Sequence, residues 1–209
     1  MHSEQNKVIY NITHFIFRLY IRLLKNIKII GTENIPSEGG VILAPNHVSY
    51  FDPPVIATSI MKRPIRFMAK ESLLKMLFYG WYMKKLGAFP VKRKTSDVSS
   101  YRKALKLLKS GEVVLIFPEG TRGDGKVLGK AKPGVGRIAA ASGAPVVPVT
   151  VTYSQKMKLF TRDNILVAFG QPVYFNAGPD RKKEEYFNFG EELLRKIEQM
   201  DISGVYNRK

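Results

Sequence analysis

Short apolar runs, each too brief for a long helix and each bounded by loop signals, recur along this chain. They are IKIIG at 27–31, VILAP at 41–45, PIRFMA at 64–69, EVVLIF at 112–117 and APVVPVTVTY at 144–153. LGAFPVKR, at 86–93, adds a strand-like piece that ends in Lys92 and Arg93. Between these runs lie segments of helical character: ESLLKMLFYGWYMK at 71–84, DVSSYRKALKLLK at 97–109, GVGRIAAAS at 134–142, and a charged helix over 180–200. The last carries an apolar stripe of Leu193, Leu194 and Ile197. Strands alternating with helices predict an α/β fold, a single domain with a mostly parallel or mixed central sheet flanked by helices. Pro148 is expected to break the run at 144–153. A short hairpin is expected around Arg162, Asp163 and Asn164. No linker divides residues 29–209, which read as one domain behind an N-terminal amphipathic segment, residues 1–28.

That N-terminal segment contains KVIYNITHFIFRLYIRLLKNIK, residues 7–28. Ile9, Ile12, Ile16, Leu19 and Leu23 recur at helical spacing, and the aromatic Tyr10, Phe15, Phe17 and Tyr20 widen the apolar part. Lys7, His14, Arg18, Arg22 and Lys25 fall on another sector. An oily face beside a basic face suits an interfacial helix on an anionic bilayer. The alternative is a helix packed on its own domain with a wet basic edge. Residues 71–84 pose the same choice, since Leu73, Leu74, Leu77, Phe78, Trp81 and Tyr82 could bury against the sheet or enter lipid. No signal peptide is recognisable, and no window reaches 18 uninterrupted apolar residues.

The chain holds 34 basic and 17 acidic residues, a net charge of +17. Such a surplus attracts an anionic partner: nucleic acid, anionic lipid, an acidic protein or a phosphorylated substrate. A nucleic-acid role is not expected, because the aromatics cluster in apolar runs rather than between basic residues. The absence of cysteine removes disulfides, thiolate nucleophiles and cysteine-based zinc sites. With only three histidines besides, no metal is expected. The G-x-S-x-G nucleophile elbow and the P-loop pattern are both absent.

Three segments carry the candidate chemistry. The run at 41–45 delivers Asn46 and His47 at its carboxyl end, where open α/β sheets place active-site loops. Asp52 follows, just before Pro53 and Pro54, in a good position to cap the next helix. A histidine held by a carboxylate is a general base whose tautomer is fixed. The competing reading is a loop histidine bonded to a helix cap. FPEGTR, 117–122, follows the strand at 112–117. Glu119 there is poorly placed for core packing, Gly120 allows a tight turn, and Thr121 and Arg122 offer a hydroxyl and a bidentate phosphate binder. Lys92 and Arg93 close FPVKR, so two basic clusters at strand ends could meet one phosphate. Solvated strand ends and an ordinary turn are the bland alternatives.

Taken in order, these segments resemble the glycerolipid acyltransferase family, especially its bacterial 1-acyl-sn-glycerol-3-phosphate acyltransferases. The family's N-H-x-x-x-x-D motif is matched by Asn46, His47 and Asp52. Its glycine-to-arginine strand is matched by Gly87 to Arg93, with Phe89 one position earlier than the usual phenylalanine. F-P-E-G-T-R is present whole as Phe117 to Arg122, and Val147, Pro148 and Val149 resemble the fourth motif. The resemblance implies that residues 29–209 are the catalytic domain. It implies that His47 deprotonates the sn-2 hydroxyl of lysophosphatidic acid while Asp52 orients the ring. The product would be phosphatidic acid. Arg93 and Arg122, supported by Lys92, would hold the phosphate, and backbone N–H groups near FPEGTR the oxyanion. Asn46, Glu119, Gly120 and Thr121 would contact substrate or support the site. No cofactor is implied; the acyl donor, acyl carrier protein or coenzyme A thioester, is a co-substrate. The implied location is the cytoplasmic face of a bacterial membrane, peripheral or monotopic.

Overall fold

Continuous apolar sequence, rather than strict alternation, marks strands covered on both faces, and here it does so at the centre of a seven-stranded sheet. The computed structural model describes residues 5–60, 63–92, 97–125, 127–155, 160–176 and 183–201. The strands are β1 (Asn26–Ile30), β2 (Val41–Pro45), β3 (Ile65–Lys70), β4 (Ala88–Val91), β5 (Val113–Leu115), β6 (Val146–Tyr153) and β7 (Asn164–Phe169). Their order in the sheet is β1-β7-β6-β2-β5-β3-β4. Pairing is parallel except between β6 and β7, so the sheet is mixed. Every residue of β2 and β5 is buried.

The helices are α1 (Lys7–Leu24), α2 (Asp52–Ser59), α3 (Glu71–Leu74), α4 (Leu77–Lys85), α5 (Val98–Lys109), α6 (Gly134–Ser142) and α7 (Lys183–Gln199). One face of the sheet, with Val41, Leu43, Val147 and Val149, packs against Tyr10 and Ile21 of α1 and Val55 and Ile56 of α2. The other, with Ile42, Ala44 and Val146, packs against Leu107 of α5, Ile138 of α6 and Leu193 of α7. The predicted stripe Leu193, Leu194 and Ile197 is buried. Alternation along β2 thus divides two cores across one sheet.

Four local expectations are corrected. The strand at 146–153 runs unbroken through Pro148. Its carbonyl accepts from the Gly170 N–H at 2.9 Å, one residue beyond the end of β7, so the missing donor falls where regular pairing has already ended. The hairpin is built by β6 and β7 themselves, with Asn164 opening the second strand rather than forming a tip. The segment 71–84 is two helices, because Met76 is extended (φ −68°, ψ 131°) and α4 restarts after it. Gly80 lets the two approach, since a Cβ there would stand 2.3 Å from the Leu74 carbonyl oxygen.

The fourth correction concerns the basic sector of α1. Lys25 lies outside the helix, is extended, and is buried with its ammonium 2.8 Å from Asp163. Asn26 and Asn164, beside that pair, open β1 and β7. His14 faces inward too, with Nε2 3.0 Å from the Ala57 carbonyl oxygen. The inward face of α1 is therefore Tyr10, His14, Phe17 and Ile21, while Ile12, Phe15, Ile16, Leu19 and Leu23 are exposed and Ile9 is half-buried. Among the described residues no helix is long and apolar enough to cross a membrane.

Candidate active site

β2 carries the chain to the carboxyl edge of the sheet, and Asn46 is the first residue past its end. Its side-chain amide takes the place of backbone: Nδ2 donates to the Val151 carbonyl (2.9 Å), and Oδ1 accepts from the Val151 N–H (2.7 Å). This continues the link to β6 while the main chain turns away. Asn46 is thus a fully buried support residue.

His47 comes next and is fixed from several directions. Its N–H donates to Glu119 Oε1 (2.9 Å), and its carbonyl accepts from the Gly123 N–H (2.8 Å). The imidazole stacks on Phe117, centroids 3.7 Å apart and planes 18° apart. Nδ1 lies 2.8 Å from Asp52 Oδ2. A carboxylate only accepts, so Nδ1 carries the hydrogen and Nε2 of the neutral ring keeps its lone pair.

Asp52 is completely buried. Oδ2 also accepts the Val48 and Ser49 N–H groups, each at 2.8 Å, and Oδ1 accepts the Tyr153 hydroxyl at 2.8 Å. The expected helix cap is therefore corrected. Asp52 is the first residue of α2, and its carboxylate reaches back to the preceding loop. That geometry folds the loop so that two residues five apart in sequence meet.

Glu119 is 4% exposed and joins three segments. Besides the His47 N–H on Oε1, its Oε2 accepts the Gly129 N–H at 2.8 Å. Both bonds are to backbone N–H groups, one of them that of His47 itself. Gly120 has φ +67°, and a Cβ there would lie 2.9 Å from Lys132 Cδ. The Gly120 N–H donates to the Phe117 carbonyl (3.0 Å), and the Gly123 N–H to His47. Both amides are bonded to backbone carbonyls in this arrangement.

Arg122 is exposed beside the His47 loop, its guanidinium carbon 3.4 Å from the centroid of the Tyr50 ring, and Thr121 is exposed next to it. Lys92 is the first residue past β4, which lies two strands from β5 and three from β2. Its N–H donates to Asp97 (2.7 Å). Burial pushes the Asp97 carboxyl up, but hydrogen bonds from Ser100, the Lys92 N–H and Ser99 outweigh that and hold it well below the usual range. Arg93 lies outside the described residues. Among those described, no cluster of three or more His, Asp or Glu is placed to hold a metal ion.

The family model described as Acyltransferase matches residues 26–152, from the first residue of β1 to the penultimate residue of β6. The chain belongs to the acyltransferase family. A 1-acyl-sn-glycerol-3-phosphate acyltransferase of Bacillus subtilis is 33% identical over 158 residues, covering 75% of this chain and 78% of that protein. A chloroplastic 1-acyl-sn-glycerol-3-phosphate acyltransferase of Arabidopsis thaliana is 30% identical over 174 residues, covering 77% of this chain and 48% of that protein. The crystal structure of the 1-acyl-sn-glycerophosphate (LPA) acyltransferase from Thermotoga maritima superposes with a TM-score of 0.67 at 29% identity, covering 93% of this chain and 81% of that one.

For an acyltransferase, the site adds two residues that sequence reasoning missed. Tyr153 holds the second oxygen of Asp52 across 101 positions. Phe117 supports the flat of the imidazole. Tyr153 ends a strand beside β2, but only the sheet order brings it to Asp52. Phe117 lay within a recognised motif, and its ring contact has no signature in spacing.

Proposed function

We propose that this acyltransferase moves an acyl chain from an acyl thioester to the sn-2 hydroxyl of 1-acyl-sn-glycerol 3-phosphate, forming phosphatidic acid. The observation that carries the reading is the held imidazole: Nδ1 bonded to a buried carboxylate with Nε2 left to accept a proton. His47 Nε2 takes the hydroxyl proton as the oxygen attacks the thioester carbonyl carbon. The tetrahedral intermediate collapses with cleavage of the C–S bond, and the thiolate leaves with the proton from the imidazolium. No acyl-enzyme forms. Arg122, presented beside Tyr50, binds the acceptor phosphate, with Lys92 and Arg93 in support. Thr121 lies beside Arg122 for a further substrate contact. Either acyl carrier protein or coenzyme A carries the donor chain.

The acceptor is a lipid, and the exposed stripe Ile12, Phe15, Ile16, Leu19 and Leu23 suits α1 for an anionic membrane. Ile9 borders that stripe. This reading makes residues 1–28 the membrane-associating segment and 29–209 the catalytic domain. It places the enzyme on the cytoplasmic face of a bacterial membrane, peripheral or monotopic. The test is incubation with labelled acyl thioester and a panel of lyso-acceptors, followed by identification of the labelled lipid. Labelled phosphatidic acid is expected with the wild type and none with His47→Ala. Labelled free fatty acid released without acceptor would instead make the enzyme a thioester hydrolase and sink the proposal.

A further inference from the structure

Two aromatic residues stand side by side between the base and its carboxylate, and they point apart. Phe51 turns inward, its ring 6.5 Å from that of Phe17 on α1, whereas Tyr50 is 72% exposed. Tyr50 occupies the tip of a pinned turn. Before it, the Val48 and Ser49 N–H groups donate to Asp52 Oδ2. After it, the Phe51 N–H donates to the Ser49 hydroxyl at 3.1 Å, and the Asp52 N–H to the Ser49 carbonyl at 3.3 Å. An exposed ring is ordinary; what lies on this one is not. The Arg122 guanidinium carbon is 3.4 Å from the ring centroid. At that distance the guanidinium lies flat on the ring, since an N–H aimed at the face would hold the carbon further off. The two loops meet again one residue on, where the Gly123 N–H donates to the His47 carbonyl at 2.8 Å. Main chain and side chain thus both tie this segment to the catalytic loop.

Flat stacking turns the guanidinium N–H groups outward around the ring, where an anion can take two at once. Among the described residues Arg122 has no carboxylate partner. The two buried carboxylates of the region, Asp52 and Glu119, are taken up by other donors. We infer that Tyr50 is a positioning residue for acceptor recognition: its ring is the platform that holds the Arg122 fork open to a phosphate monoester. A long side chain free in water gives up rotamer freedom when it binds. One already laid on a ring gives up less, and the difference appears as affinity. This role rests on the reading of Arg122 as the acceptor-phosphate contact.

The test is steady-state acyl transfer by the full chain in detergent, together with phenylglyoxal modification of Arg122 followed by peptide mass spectrometry. Tyr50→Ala should raise KM for 1-acyl-sn-glycerol 3-phosphate roughly twofold to fivefold at unchanged kcat, the factor that an exposed cation–π contact supplies. Tyr50→Phe keeps the ring and should restore the wild-type KM. Added to Arg122→Ala, Tyr50→Ala should have no further effect. The same acceptor should shield Arg122 from phenylglyoxal, at concentrations higher by the same factor in Tyr50→Ala. The inference fails if Tyr50→Ala leaves KM and shielding unchanged, if it lowers kcat at unchanged KM, or if its full effect persists beside Arg122→Ala. A raised KM in Arg122→Ala with none in Tyr50→Ala overturns the inference alone. Shielding needs no turnover. Arg122 shielded in a wild type that transfers no acyl chain, with the shift present in Tyr50→Ala, overturns only the proposed reaction. Acyl transfer beside an Arg122 that the acceptor never shields overturns the phosphate contact and the role of Tyr50 with it.

Discussion

Replacing Glu119 by Gln keeps shape and removes one acceptor. The carboxylate accepts two backbone N–H groups, one on each oxygen, from His47 at 2.9 Å and Gly129 at 2.8 Å, in a site that is 4% exposed. Glutamine offers one oxygen, so in either orientation its amino group faces a backbone N–H. A hydrogen bond to a charged group contributes about 1.5–3 kcal/mol, and an unsatisfied buried donor costs about 1–3 kcal/mol. These overlap in one contact, giving a loss of about 2–4 kcal/mol. At about 2–4 °C per kcal/mol for a chain of this size, Tm should fall by about 4–16 °C. Thermal unfolding followed by circular dichroism measures this, and amide exchange at Gly129 should accelerate. A substrate-contacting Glu119 makes the opposite prediction, a higher KM for the acceptor at unchanged Tm. A Tm within about 2 °C of wild type, with Gly129 exchange unaltered, would refute a structural role for these two bonds.

Asp163→Ala leaves the Lys25 ammonium buried without its carboxylate, which should cost about 3–5 kcal/mol in urea unfolding near neutral pH; a smaller loss than about 1 kcal/mol would contradict a buried pair. Burial raises the Asp163 carboxyl, but hydrogen bonds from Lys25, Gln155 and Thr161 and the Lys25 charge outweigh it and lower it to about 2 from 3.8. A lowered folded-state value means stability present above the unfolded value and lost as pH falls. The gap between wild type and Asp163→Ala should therefore narrow from pH 3.8 towards about 2; a gap constant over that range would exclude the linkage. Tyr153→Phe removes one of four donors to Asp52 and should lower kcat several-fold with KM unchanged, whereas an unaltered kcat would make the contact incidental. Arg122→Ala, at an exposed position, should leave stability within about 0.5 kcal/mol and raise KM for the phosphorylated acceptor; an unchanged KM would exclude a phosphate contact.

What the chain revealed before folding was local. VILAP and EVVLIF read as strands because both faces of the central sheet are covered, which forces continuous apolar sequence. His47 and Asp52 were legible because one short loop joins them. The supporting contacts were not. Glu119 meets His47 across 72 positions, and Tyr153 meets Asp52 across 101, distances set by the order β6-β2-β5. Lys25 looked like part of a basic stripe because helical periodicity was carried one residue too far, into a position where the chain leaves α1 for β1. The break between α3 and α4 had no proline to announce it. Gly80, the one small residue there, serves the close crossing rather than the break.

The pairing of β1 with β7 has a consequence in time. Asn26 sits opposite Asn164, 138 positions later. On a ribosome adding about 5–20 residues per second, β1 waits roughly 7–28 s for its partner to be made. Throughout that interval the chain after α1 lacks the Asp163 anchor, and the outward stripe of α1 is uncovered. A bilayer near the exit tunnel meets the helix before its own sheet edge does. The sheet order thus permits attachment first and closure of the domain afterwards, with the enzyme assembled where its acceptor already resides.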